Sequence, residues 1–218
     1  MSFPLTIRLR KLLTVLESDI RQRVADDAAV RAPLVVEYQA DLESGLTQQD
    51  FANWVEGRIT QSGVAWILAT VFVRFLEDNQ LITPARLLEP IANATGSPIE
   101  RWQLFTAKTP TANRRDWMQS EFSELAKLPA LNELLGQSNS HLWTLAPSQD
   151  GIMKILDAFS ERNDDAKELK WLFGDPELST RILGDLYQDL SESARKRYAL
   201  LQTPDFVERF ILDRTLEP

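Results

Sequence analysis

Three observations predict an all-α chain. Apolar residues recur at steps of three and four through most of the sequence, one long segment is apolar on every face, and no alternating strand pattern of useful length appears. The expected architecture is an irregular multi-helix domain around a buried central helix at about 47–79. Hydrophobic residues make up 44% of the 218 and charged residues 26%, a composition that buries a core rather than staying disordered.

The elements follow in order. Leu5, Leu9, Leu12, Leu13, Leu16 and Ile20 share one face and predict a long amphipathic first helix. Pro33 is expected to open a second helix through Tyr38 and Leu42, which Gly45 closes. Thr47 suits the cap of the third, with Asp50 three residues on as an approximate capping box. Phe51, Trp54, Val55, Arg58 and Ile59 lie on one stripe. From 63 to 73 only Thr70 interrupts the apolar run, and Phe72, Val73, Phe75 and Leu76 carry the helix to Glu77-Asp78-Asn79. Those eleven residues are too few to cross a bilayer, so other helices are expected to wrap them. Shorter helices are expected at 84–91, 98–105, 113–127, 130–135 and 150–159, each bounded by Pro, Gly or a polar cluster. Residues 160–170 are the most polar stretch, and Phe173-Gly174-Asp175-Pro176 signals a turn.

Composition narrows the function. The chain has no cysteine, which excludes disulfides and thiolate metal sites and fits a cytoplasmic location. Residues 1–13 carry Arg8, Arg10 and Lys11 without an unbroken apolar stretch or a small-residue cleavage site, so they do not read as a signal peptide, and no membrane association is expected. The net charge of −8 is unevenly spread. Residues 1–31 hold six basic and four acidic side chains (+2), 32–100 hold three and nine (−6), 101–190 hold ten and fourteen (−4), and 191–218 balance at five each. Most of the body would repel a phosphate backbone, so any DNA contact must be local or belong to another part of the protein.

Individual side chains are read in the same way. Arg74 and Asp78 stand four apart at the end of the most apolar helix, with Glu77 beside them, which predicts a structural ion pair rather than a catalytic carboxylate. His141 is the single histidine, in Ser138-Asn139-Ser140-His141. Without cysteine or a run of carboxylates it makes neither a metal site nor a triad, and it is expected in a surface loop. Arg8, Arg10 and Lys11 would attract DNA, but Asp19, Asp26 and Asp27 offset them along the same segment. Asp41-Leu42-Glu43 and Asp164-Asp165 read as solvated faces, with a basic DNA channel or a basic partner as the sharper alternative. The tryptophans at 54, 66, 102, 117 and 143 fall on apolar faces and are expected to pack in the core rather than stack on bases.

Two runs carry a family resemblance. The first comprises Trp54, Arg58-Ile59-Thr60-Gln61, Val64-Ala65-Trp66 and Val71-Phe72-Val73-Arg74-Phe75-Leu76-Glu77-Asp78-Asn79. The second is Leu183-Gly184-Asp185-Leu186-Tyr187-Gln188-Asp189-Leu190, followed by Ala194-Arg195-Lys196-Arg197-Tyr198-Ala199-Leu200-Leu201-Gln202-Thr203-Pro204. Both resemble the N-terminal region of the PglX family, the adenine-specific DNA methyltransferases of phage growth limitation and bacteriophage exclusion (BREX) defence systems. The similarity spans the chain and is densest at 51–79 and 181–214.

The resemblance implies a large enzyme that transfers a methyl group from S-adenosylmethionine to the exocyclic amine of adenine in DNA, marking host DNA against phage. It also implies that residues 1–190 are a helical N-terminal domain and 191–218 the start of the methyltransferase domain, the chain stopping as that domain begins. The chemistry needs a glycine loop for the cofactor and an Asn/Asp-Pro-Pro-aromatic loop for the extruded base. None of the eight glycines falls in a strand–Gly-x-Gly–helix context, and no Pro-Pro pair occurs. The chain alone is therefore expected to be inactive. Its expected role is to support the catalytic part and help position DNA, or else to bind another phage-defence component or an inhibitor.

Thr203 and Pro204 match the family's cofactor-side segment. By residue chemistry they are a helix cap followed by a first-turn proline. The resemblance makes them S-adenosylmethionine contacts in the longer enzyme, where the cap's hydroxyl and free amides would face the ligand's carboxylate. Arg195, Lys196 and Arg197 read either as DNA contacts or as a solvated helix turn. No metal is expected.

Overall fold

The computed structural model describes residues 3–88, 97–137, 140–163, 169–179 and 181–190. Among these residues there are nine helices and no strand: α1 (Phe3–Asp26), α2 (Ala28–Glu43), α3 (Phe51–Asp78), α4 (Pro98–Lys108), α5 (Arg114–Leu125), α6 (Pro129–Leu135), α7 (Ser140–Trp143), α8 (Gln149–Phe159) and α9 (Arg181–Leu190). The all-α class read from the sequence holds. The division at 190 falls where the description stops, since 191–218 lie outside the described residues.

The 28-residue α3 is the axis of the fold. Ile59, Trp66, Ile67, Val71 and Val73 are shut off from solvent around its circumference, as a helix apolar on all sides requires. By length and composition α3 would suffice to cross a membrane, with a mean hydropathy of 1.5 over its most apolar window, yet 72% of that window is buried inside the protein. Asp50, not Thr47, caps it: the Asp50 carboxylate accepts the Asn53 N–H at 3.0 Å, while the Thr47 hydroxyl accepts only the Gln49 N–H.

α1 lies along α3 and buries the whole leucine face predicted for it, from Leu5 through Ile20. Gly63 makes that close approach possible, because a Cβ there would sit 2.8 Å from Leu13 Cδ1. α8 closes the far side of α1 with Ile152, Ile155 and Phe159 buried, and α9 packs on both α1 and α3 through Leu186 and Leu190. A second apolar cluster gathers Ile20, Val24, Leu34, Trp54, Val55, Ile59 and Leu145 at the other end of the body.

Three further local expectations fail. Pro33 does not open α2 but lies inside it. Asp27 caps that helix by accepting the Ala29 N–H at 2.9 Å, so α1 and α2 join through one extended residue. The proline forfeits one helical hydrogen bond, and the fully buried Leu34 beside it holds the segment in place. Residues 84–88 are not helical, because their backbone is captured by the buried carboxylate of Glu77; 89–91 lie outside the described residues. His141 is on α7 and half-buried, not in a surface loop.

Candidate functional site

The densest polar chemistry of the body is at the C-terminal end of α3. Arg74, with a side chain wholly shut off from solvent, donates to Glu77 at 2.8 Å, to Asp78 at 2.5 Å and to the Leu88 carbonyl at 3.2 Å. Glu77 Oε1 accepts the N–H groups of Arg86 and Leu87, both at 2.7 Å. Asp78 accepts the Phe173 N–H at 2.9 Å. The Asn79 amide donates to the Phe173 carbonyl at 3.0 Å and accepts the Asp175 N–H at 2.8 Å. Helical spacing alone sets the three charges side by side, and the loops that cover them then have to satisfy them.

Burial pushes the carboxyls of both Glu77 and Asp78 upward, against the pull of the Arg74 guanidinium and the backbone donors. Every oxygen of this group already has a partner, so no free general base is aimed at an open cleft. The arrangement fastens the segments around 86–88 and 173–175 to the end of the central helix. As predicted, Arg74 and Asp78 form a structural ion pair, and Glu77 extends it.

A second ion-pair group joins α4 to α5. Arg101 grips Glu121 with its Nε and one terminal nitrogen, Nη2, at 2.7–3.1 Å, and Arg86 reaches the same carboxylate at 3.3 Å. Next to it, the Arg114 guanidinium lies over the Trp102 ring at 4.0 Å and near the Trp117 ring at 5.2 Å. Sequence reasoning assigned both tryptophans to the core and passed over Arg114. The basic residue twelve positions after Trp102 gave no periodic signal, since it sits on a different helix.

His141 borders a small, partly open recess with Leu34, Glu37, Arg58, Ser62, Thr144 and Leu145. Burial, and then the nearby Arg58 charge, lower the imidazole pKa below its usual range. Arg58 is itself paired with Glu37 and Asp41 and stacked over Trp54 at 4.9 Å. Asp41 also accepts the Trp54 indole N–H at 2.9 Å, so the first of the two acidic stretches is partly structural rather than a purely solvated face.

Two of the three N-terminal cations are committed as well. Arg8 pairs with Glu161 at 2.6 Å and Arg10 with Asp189 at 3.6 Å, whereas Asp19 binds Ser148 at the start of α8. They are offset by carboxylates distant in sequence, not by the aspartates of their own segment. No group of three or more His, Cys, Asp or Glu side chains able to hold a metal occurs among the described residues. Thr203 and Pro204, the predicted cofactor contacts, and Arg195, Lys196 and Arg197, the predicted DNA contacts, lie outside the described residues, as does Asp164-Asp165.

With this geometry in view, the comparison with known proteins bears out the resemblance seen in the two runs. In an alignment 217 positions long that covers 96% of its length, the chain is 37% identical to the adenine-specific methyltransferase PglX of Streptomyces coelicolor. The chain spans only 18% of that protein, in keeping with one region of a longer polypeptide. No protein-family model and no solved structure matches it.

Proposed function

Because this chain is similar along nearly its whole length to one part of PglX, we propose that it is the N-terminal helical module of an adenine-specific DNA methyltransferase acting in bacteriophage defence. The observation that carries the reading is the 37% identity over 96% of the chain. In this reading the longer protein binds S-adenosylmethionine, methylates adenine in cytoplasmic DNA and so marks the host genome. Residues 1–190 then serve as a non-catalytic support, in which α9 packs on α1 and α3. Thr203 and Pro204 complete the cofactor pocket of the longer enzyme, and Arg195, Lys196 and Arg197 approach its DNA.

A second reading, an interaction module for another defence component or an inhibitor, draws on the acidic stretch 32–100 and on the exposed Val36 of α2 and Leu46 in the loop after it. Calorimetric titration of S-adenosylmethionine into the 218-residue chain and into the longer protein, side by side, tests the first. Binding by the longer protein alone is the expected result. Binding by the short chain would overturn its non-catalytic role, and silence from both would overturn the methyltransferase reading and leave the interaction module.

A further inference from the structure

The composition of α2 is that of a core helix, but its setting is not. Ten of its sixteen residues are Ala, Val, Leu or Pro, yet only Leu34 among the sixteen is buried. Ala28, Ala32, Val35, Gln39 and Leu42 follow at steps of four and three along one line of the helix, all of them exposed, and Val36 stands beside the line at 71% exposure. Leu46 extends this apolar surface past the helix end, 75% exposed, with its N–H bonded to the Asp41 carbonyl at 2.8 Å. The spacing is that of the seam one helix offers another. The opposite side of α2 is already committed: Leu34 joins the second apolar cluster, Tyr38 meets the Phe51 and Trp54 rings at 5.3 and 5.5 Å, and Arg58 pairs with Glu37 and Asp41. The outer seam is therefore held in place and cannot turn inward.

A continuous exposed apolar face marks an interaction surface, and charge decides what covers it. Residues 26–50 carry six carboxylates and one cation, Arg31, which lies over the Phe51 ring at 5.5 Å. Arg58 reaches in from α3, and Arg23 of α1 offsets part of the charge of Asp27, so carboxylates still outnumber cations by six to three. None of Asp26, Asp27, Glu43 and Asp50 forms an ion pair with a described residue. That balance repels a DNA duplex and an anionic membrane surface alike. It also disfavours a second copy. Paired antiparallel, Asp26 and Asp27 of each chain would meet Glu43 of the other; paired parallel, each carboxylate would meet its twin. The occupant that fits is apolar along one face and basic at both ends. From Ala28 to Leu42 the seam runs for about 21 Å, the length of about four helical turns.

We propose that the outer face of α2, together with Leu46, is the docking site for a protein partner that presents an amphipathic helix of about four turns with Lys or Arg at both ends. The proposal rests on the second reading above, the interaction module, and names the chemistry of its partner.

Because the chain has no cysteine, a polarity-sensitive dye can be attached at a single introduced one: V36C on the seam, or L104C on the exposed side of α4 as the control. The probe is a synthetic leucine–alanine helix of about 15 residues with two lysines at each end, and its twin carries glutamates in their place. The lysine peptide is expected to shift the V36C emission to the blue in a saturable way and to leave L104C unmoved, while the twin shifts neither. In anisotropy of the labelled lysine peptide with dye-free protein, V36Q should weaken binding about tenfold. E43Q should weaken it about two- to threefold at low salt and not at about 1 M. Both side chains are exposed, so thermal melts should match the wild type, and E43Q carries the decision if V36Q does not. A shift confined to L104C, or full affinity in both V36Q and E43Q, would overturn the α2 face and leave the interaction-module reading standing. Equal binding of the glutamate twin would overturn the basic partner. A V36C dye already blue-shifted before any peptide is added would mean that the chain itself or a second copy covers the seam, which sedimentation tells apart, and would overturn the proposal. No response to either peptide at either dye would overturn the docking face and, with it, the acidic stretch as a recruiting surface.

Discussion

Replacing Arg74 by methionine probes the centre of the fold. The substitution removes three donated hydrogen bonds, to Glu77, Asp78 and the Leu88 carbonyl. It leaves two carboxylates buried with no cation, their side chains 0% and 4% exposed. Methionine refills most of the volume, so the dominant loss is the uncompensated charge, worth about 3–5 kcal/mol. For a chain of this size each kcal/mol moves the melting temperature by about 2–4 °C, which gives a fall of about 6–20 °C. Circular dichroism melts and urea titrations measure it.

The pH dependence gives the sign. Burial already raises both carboxyls, and Arg74 opposes that rise. Without Arg74 the folded-state pKa values move further above those of the unfolded chain, so the folded state binds more protons and stability falls as pH rises from the ordinary carboxylate range. R74M is therefore expected to be weakest near neutrality and to recover partly at about pH 5. The neutral triple variant R74M/E77Q/D78N should lose less than R74M alone. A loss below about 1 kcal/mol, the level of an exposed pair, or a triple variant no better than the single one, would refute this account of the network.

Other outcomes are equally direct. The depressed His141 pKa means that the unfolded chain takes up a proton near 6.5 before the folded one does. Stability should thus decline as pH falls below about 6.5, and H141Q should flatten the wild-type profile of melting temperature between about pH 5 and 7; an unaltered profile would dismiss His141 as its source. Two glycines of α3 should behave oppositely. A Cβ at Gly57 meets nothing within 4 Å, so G57A should stabilise by about 1 kcal/mol, whereas the crowding of Gly63 against Leu13 should make G63L cost about 3 kcal/mol, both read from urea midpoints.

How much of this could be read in advance depended on the range of the interaction. The leucine face of α1, the apolar α3 and the Arg74–Asp78 pair are written at helical spacing, and all three were legible. Pro33 misled because its fixed backbone angle suits a first turn, while the true start was decided by the Asp27 side chain. Residues 84–88 carry helical periodicity, yet a carboxylate from α3 captures two of their amides, and no local pattern announces that. The same holds for the pairs Arg8–Glu161 and Arg10–Asp189 and for Arg114 on its tryptophans: each joins helices whose neighbourhood only the tertiary structure sets. The similarity to PglX was legible through two runs of specific residues, whereas the cofactor and DNA contacts named from it lie outside the described residues.

The wrapped central helix has a consequence for how the protein is made. α3 is complete at Asp78, but α9, one of its covers, ends only at Leu190. At about 5–20 residues per second a ribosome needs roughly 5–20 s to make the intervening hundred or so residues. Throughout that interval the nascent chain displays a 28-residue helix with the hydropathy of a membrane span and nothing yet synthesised to cover it fully. The moment of greatest danger for this protein is thus set by the order of translation rather than by the depth of its final energy minimum. A chain interrupted before α9 would keep the cover of α1 but leave the α9-facing side of α3 open.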